Sequence, residues 1–189
     1  MGPREDIRCL LDYLISTDLT PNGGWRMDQI IPILGTTALL GSALVGGIFF
    51  TFSSFVMRAL ARVPSAEGIG AMQSINVVVL NPSFLGVFMG TAVVSLGAGG
   101  LALAGLGRPF APFFLGGAFF YLVGTLLVTV VGNVPLNDKL AGVSAHDPAA
   151  REVWEHYLAR WTMWNHVRTA AAIVAALLYT LGLLQYGAT

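Results

Sequence analysis

Long runs without a single charged residue alternate along the chain with short polar connections. Residues 29–57, 69–107, 109–137 and 169–189 are all free of Asp, Glu, Lys and Arg. About 20 apolar residues suffice to cross the hydrocarbon core of a bilayer, so each run is long enough. The second is too long for one crossing, and Asn81-Pro82 divides it. The spacing predicts helices near 31–57, 84–106, 111–133 and 161–186. Backbone polar groups in lipid must be satisfied within the protein, which leaves helices or a closed barrel. No run has the period-two alternation of a barrel strand. The expected fold is an all-α integral membrane four-helix bundle.

The connections carry structure of their own. After Ser65, the stretch AEGIGAMQSINVVVL puts Ile69, Met72, Ile75 and Val79 on one face. That predicts an amphipathic helix between the first two spans, packed against the bundle or dipping into it. Between the third and fourth spans, Asp147-Pro148 reads as a helix start, a cap followed by proline at the first helical position. Helical periodicity then runs unbroken into the last span, so the fourth helix is long and partly extramembrane. Residues 29–189 make up the transmembrane domain. Residues 1–28 form an N-terminal extension, interfacial or disordered, that lacks the layout of a signal peptide, and Met27 is an alternative start. Gly86 with Gly90, Ser42 with Gly46 and Ala43 with Gly47 are small residues four apart, the spacing of close helix packing.

Composition narrows the class further. Only 11% of residues are charged, against about a quarter in soluble domains, too few to cover a water-facing surface. A lipid bilayer is therefore the expected surrounding. Ten basic residues balance ten acidic ones, which leaves no electrostatic footprint for nucleic acid. The single cysteine, Cys9, allows no disulfide within the chain and no zinc spacing. Arg58, Arg62, Lys139, Arg151 and Arg160 fall on one side of the predicted topology and Arg108 on the other, with Arg4, Arg8 and Arg26 beside it. Counted from Met27, this bias places the side bearing the longer polar loops in the cytoplasm, at the cell membrane if the chain is bacterial.

Polar side chains at membrane depth are costly, and here they gather. Asn133, Asn137 and Asp138 close the third predicted helix. Trp161, Asn165 and Arg168 share a face of the fourth, with His166, Trp164 and Thr169 beside them. Gln73 and Asn76 precede the second, and Phe52 and Ser53 end the first. By the predicted topology these helix ends meet in one polar rim above an apolar interior. Each residue alone has a bland reading: arginine snorkels, tryptophan anchors at the interface, asparagine caps a helix. The set excludes several chemistries. Paired cysteines for quinone-linked disulfide exchange are absent, no glutamate lies within a predicted span for a di-iron site, and only His166 approaches the depth of a haem ligand. No phosphate-binding loop or nucleophile elbow occurs. A metal on His166 and Asp138 lacks further ligands, so none is expected. What remains is a base near neutrality, a fixed cation and neutral donors, a set suited to proton abstraction with stabilisation of an oxyanion.

Four strings, FFTFSSFVMRALARVP, AMQSINVVVLNPSF, GNVPLNDKL and WTMWNHVRTAAA, resemble in order and spacing the anthrone oxygenase family of small membrane proteins. The likeness spans roughly residues 40–184. It implies oxidation of an anthrone-like aromatic polyketide to a quinone by dioxygen as co-substrate, with no cofactor. Under that resemblance His166 is the base, with Asp138 its rival, and Arg168 with Asn165 holds the oxyanion. Asn133 and Asn137 orient the base or bind substrate hydroxyls, Ser53, Gln73 and Asn76 line the site, and Trp161, Trp164 and Phe52 stack on the rings. The expected partners are a hydrophobic aromatic small molecule and the bilayer, with a homo-oligomer left open. Alternatives are an oxygenase or cyclase for another polyketide, or a non-catalytic protein that binds a hydrophobic metabolite.

Overall fold

The computed structural model describes residues 27–188. The expected extension at 1–28 lies outside them, apart from the two residues that open the first helix. Helix α1 runs Met27–Thr51 and continues through a π-helical stretch, Phe52–Val56, into Met57–Leu60. Helix α2 is Ser65–Val78 and α3 is Pro82–Ala104. Helix α4 spans Ala111–Ala141, with π-helical stretches at Phe120–Leu127 and Thr129–Asn133, and α5 spans Ala150–Gly187. Among the described residues there is no strand. α1, α3, α4 and α5 are the four helices long and apolar enough to cross a membrane.

Each long helix packs on its neighbours in sequence, and α5 closes the ring against α1. The bundle is therefore a simple up-and-down square. Local chemistry sets the turns. Asn81 Oδ1 accepts from the Phe84 amide at 3.0 Å, with Pro82 behind it, so α3 starts cleanly where the long uncharged run divides. Gly107 adopts φ 99°, a left-handed conformation that suits glycine, in the tight turn between α3 and α4.

Several boundaries differ from expectation, beginning with α1, which starts at Met27 rather than near 31. α4 does not close at Asn133: it passes through Pro135 to Ala141. The wider π-helical turns just before it relax the hydrogen-bond ladder, and Pro135 falls in the first turn of the resumed α-helix, where its missing N–H is tolerated. α5 starts at Ala150 rather than at Asp147-Pro148, because Asp147 Oδ1 accepts from the Ala149 amide at 2.8 Å and closes a turn there instead of capping the helix. α1 runs three residues past 57, to Leu60. Of the small-residue pairs, Gly46 does approach Ala172 of α5, whereas Gly86 and Gly90 face open space. They lie on the outside of the bundle rather than in a helix seam.

Two apolar cores stack along the bundle axis. The larger is formed by residues such as Val45, Phe88, Phe114, Tyr121 and Tyr179, all buried between the four long helices. Phe114 is wedged between backbones: a Cβ on Gly35 would lie 2.5 Å from its Cζ, and one on Gly182 2.5 Å from its Cδ1. Outside it, Leu44, Val93, Val123, Leu177 and Leu184 are exposed, a surface suited to lipid. The smaller core joins the upper end of α1, α2, the end of α4 and the first turns of α5, through Met57, Ile69, Met72, Leu140, Trp154, Tyr157 and Trp161. α5 holds the two together. Its 38 residues reach about 57 Å at 1.5 Å per residue, against a hydrocarbon core of about 30 Å.

The predicted face of α2 is the buried one: Ile69 and Met72 are fully enclosed and Ile75 packs beside them. Gln73 ties α2 to α4, its Nε2 donating to the carbonyls of Leu140 and Val143, both at 2.9 Å. Gln73→Ala would remove this side-chain donor from both carbonyls, leaving Leu140 O only its backbone partner, the Val143 amide. The expected loss is about 1–3 kcal/mol of local stability, seen as faster amide hydrogen exchange in the 140–149 segment while the four long helices keep their protection.

Candidate functional site

A polar layer separates the two cores. On α4, Thr125, Thr129, Asn133 and Asn137 recur every fourth residue, the spacing of one helix stripe. Facing them on α5 are Tyr157, Trp161, Asn165 and Arg168, and α1 contributes Phe49 and Ser53. Arg168 is 4% exposed and Asn165 and Asn133 are 0% and 1% exposed, so the layer is enclosed rather than open as a rim.

Asn165 organises it. Its Nδ2 donates to the Phe49 carbonyl and to Ser53 Oγ, each at 2.7 Å, one turn before and at the π-helical stretch of α1. Its Oδ1 accepts from the Arg168 guanidinium at 2.7 Å. The whole amide is thereby used, which fixes its orientation. Thr169 Oγ1 donates to the Asn165 carbonyl at 2.8 Å, so the 3.1 Å contact between Ser53 and Thr169 has Ser53 as its donor. Arg168 also donates to Thr129 Oγ1 at 3.3 Å, and its Cζ lies 4.1 Å from the Phe49 ring centroid and 5.1 Å from that of Trp161. Such ring faces attract a cation, more strongly where water is excluded.

No acid among the described residues meets this cation. Among the described residues the ion pair in view is Arg151 with Glu155, exposed on α5, and none involves Arg168. A buried charge normally has a partner, because an isolated one is expensive. Two more atoms of the layer stand without a hydrogen bond, Arg168 Nε and Asn133 Oδ1. One is a donor and the other an acceptor, and both are fully enclosed.

Above it, Asn137 Oδ1 accepts from Tyr157 Oη and from Trp161 Nε1, both at 2.8 Å. Asn76 Nδ2 reaches Tyr157 Oη at 3.4 Å. Asn133 Nδ2 donates to the Trp161 carbonyl at 3.2 Å. Trp161 is thus held at both ends, with Phe52 5.6 Å away between ring centroids.

The residues expected at one site therefore separate. Arg168, Asn165, Asn133 and Ser53 come together, with Trp161, Phe52 and Asn137 just above. Gln73 and Asn76 brace the smaller core. Trp164 lies on the backbone of α4, where a Cβ on Gly132 would fall 2.8 Å from its Cδ2. His166 is exposed on the outer face of α5, because two residues along a helix turn a side chain about 200° from Arg168. Asp138 is exposed as well, one residue round from Asn137. Neither expected base reaches the arginine. Among the described residues no group of three or more His, Cys, Asp and Glu is placed to hold a metal ion.

Phe49, Thr125, Thr129 and Tyr157 were not anticipated. The fourfold spacing of Thr125, Thr129, Asn133 and Asn137 was the available signal. Phe49 acts partly through its carbonyl, which a sequence does not display.

Fold and site together define a polytopic helical membrane protein built around an enclosed arginine that has no counter-charge among the described residues. The family model described as anthrone oxygenase matches residues 84–178, half of the chain, and the chain belongs to that family. That membership supports an oxygenase-like role in general. No curated protein and no solved structure matches it.

Proposed function

We propose that the chain is a membrane-embedded oxygenase that converts an anthrone-like aromatic polyketide to a quinone with dioxygen, using no cofactor. One observation carries the reading: among the described residues, a buried guanidinium with no acidic partner, whose Nε makes no hydrogen bond, shares its layer with the unpaired Asn133 Oδ1. Such a site favours a ligand that becomes anionic.

An anthrone does so readily. Breaking a C–H bond of its methylene releases a proton, and the electron pair moves into the ring system to form an aromatic phenolate. Arg168, held by Asn165 and Thr129, would take the phenolate oxygen, and Asn133 Oδ1 a neighbouring hydroxyl. Next to a fixed cation the anion is favoured, so a weak acceptor such as water suffices for the proton. The phenolate then passes one electron to dioxygen, and the ring radical and superoxide combine through a new C–O bond. Protonation and loss of water with the second methylene proton leave the quinone carbonyl. Anthrone and dioxygen thus give quinone and water, and the substrate itself is the reductant. Phe52 and Trp161 would lie against the rings.

Oxygen uptake by the purified, metal-analysed protein given a simple anthrone tests this. Uptake well above the spontaneous rate, matched by quinone formation, is expected, and His166→Ala is expected to keep it. Tight binding of the anthrone without uptake would instead identify a carrier or binding protein.

A further inference from the structure

A second site lies on the outside, between the upper end of α1 and the outer face of α5. An open groove of about 530 Å³ is lined by Met57, Arg58 and Ala61 from α1 and by Leu158, Met163 and His166 from α5, with Ala159, Thr162 and Glu155 completing it. The volume is within the range of small-molecule sites, roughly 300–1,000 Å³. Its floor is methionine, leucine and alanine. Its polar groups are a guanidinium, an imidazole and a hydroxyl, and among the described residues Arg58 and His166 take part in no ion pair. The one carboxylate, Glu155, is already engaged by Arg151 Nε at 2.9 Å.

Its level in the fold says what fills it. Beyond His166 the same side of α5 continues with exposed Ile173, Leu177 and Leu184, and exposed Phe50 lies on α1. Before it come exposed Glu155, His156 and Arg160. The groove thus opens where the lipid-facing surface gives way to the water-facing one, and its Arg58 guanidinium and His166 imidazole lie at that level, where lipid phosphates are found. We propose that it seats one anionic phospholipid, whose phosphate is held by Arg58, His166 and Thr162 and whose acyl chains run on from there along exposed Ile173 and Leu177. This site is separate from the enclosed arginine layer: its polar side chains Arg58 and His166 are exposed on the outside of the bundle.

Native mass spectrometry of the full chain, released from nanodiscs of phosphatidylcholine mixed with phosphatidylglycerol, tests the proposal. Wild type is expected to keep one phosphatidylglycerol preferentially. Arg58→Gln with His166→Gln should weaken that retention roughly tenfold or more. Arg62→Gln with His156→Gln, the same change of residue types outside the groove, should leave it intact. Equal retention of the two lipids, equal loss in both double variants, displacement by inorganic phosphate alone, or a dimer whose interface Met163→Cys cross-links would each overturn it.

Discussion

Arg168→Gln is expected to lower anthrone-dependent oxygen uptake by roughly a hundredfold or more, the typical effect of removing one donor to a developing oxyanion. The melting temperature in detergent should hold or rise. The two outcomes are linked by the same feature. In the resting protein the guanidinium is a buried charge without an acid, and it is stabilised only by Asn165, Thr129 and two aromatic rings. Replacing it by a shorter neutral amide removes a charge from an enclosed site, which is not destabilising in itself. A purely structural arginine would behave the opposite way, with stability falling at least as far as turnover. Arg168→Lys separates charge from shape. It keeps the cation but loses the planar fork that bonds Asn165 and Thr129 at once, so turnover between the two other proteins is expected.

The second large effect lies at the other end of the molecule. Gly182→Leu should lower the melting temperature steeply, because its side chain would enter the space of Phe114, whose ring is fully buried. Forcing extra methylenes into a packed core costs about 1–3 kcal/mol, more where the backbone must move, and here the ring has no retreat, since Gly35 meets its other end. Phe114→Ala in the same chain should recover much of the loss by vacating the volume. Thermal unfolding of wild type, both single variants and the double variant, followed by tryptophan fluorescence, reads this compensation. Two independent losses that simply add would show that the ring and the glycines do not share one space. Gly35 is 14 positions from Phe49, about 21 Å along a helix, so anthrone handling below the melting temperature should change little.

The parts legible in sequence were those governed by solvent. Charge-free runs marked the four long helices, and the apolar face of α2 was read correctly because one side of it must leave water. Arg168 and Asn165 could be paired because three positions on a helix share a face. The misreadings come from two sources. Nearness in sequence stood in for nearness in space at His166, although adjacent positions on a helix diverge by about 100°. Local rules were applied without their context at Pro135, where π-helical turns let the helix continue, and at Gly86 and Gly90, where the motif has no partner helix. Thr125 and Thr129 went unremarked because a lone threonine in a membrane helix commonly bonds its own backbone. Thr129 does so here, to the Thr125 carbonyl at 2.7 Å, while also accepting from the arginine.

The Arg168 guanidinium lies between Phe49, a member of the lipid-level core, and Trp161, a member of the upper one. A seam closed by methyl groups alone would resist parting, because opening it returns apolar surface to water. Here the centre of the seam is a cation that water solvates well. Lifting Trp161 would hydrate the arginine as it moved away from its rings, so the two halves are fastened where separation is cheapest. A flat guest sliding in between Phe49 and Trp161 would meet the charge directly and replace the tryptophan face with its own.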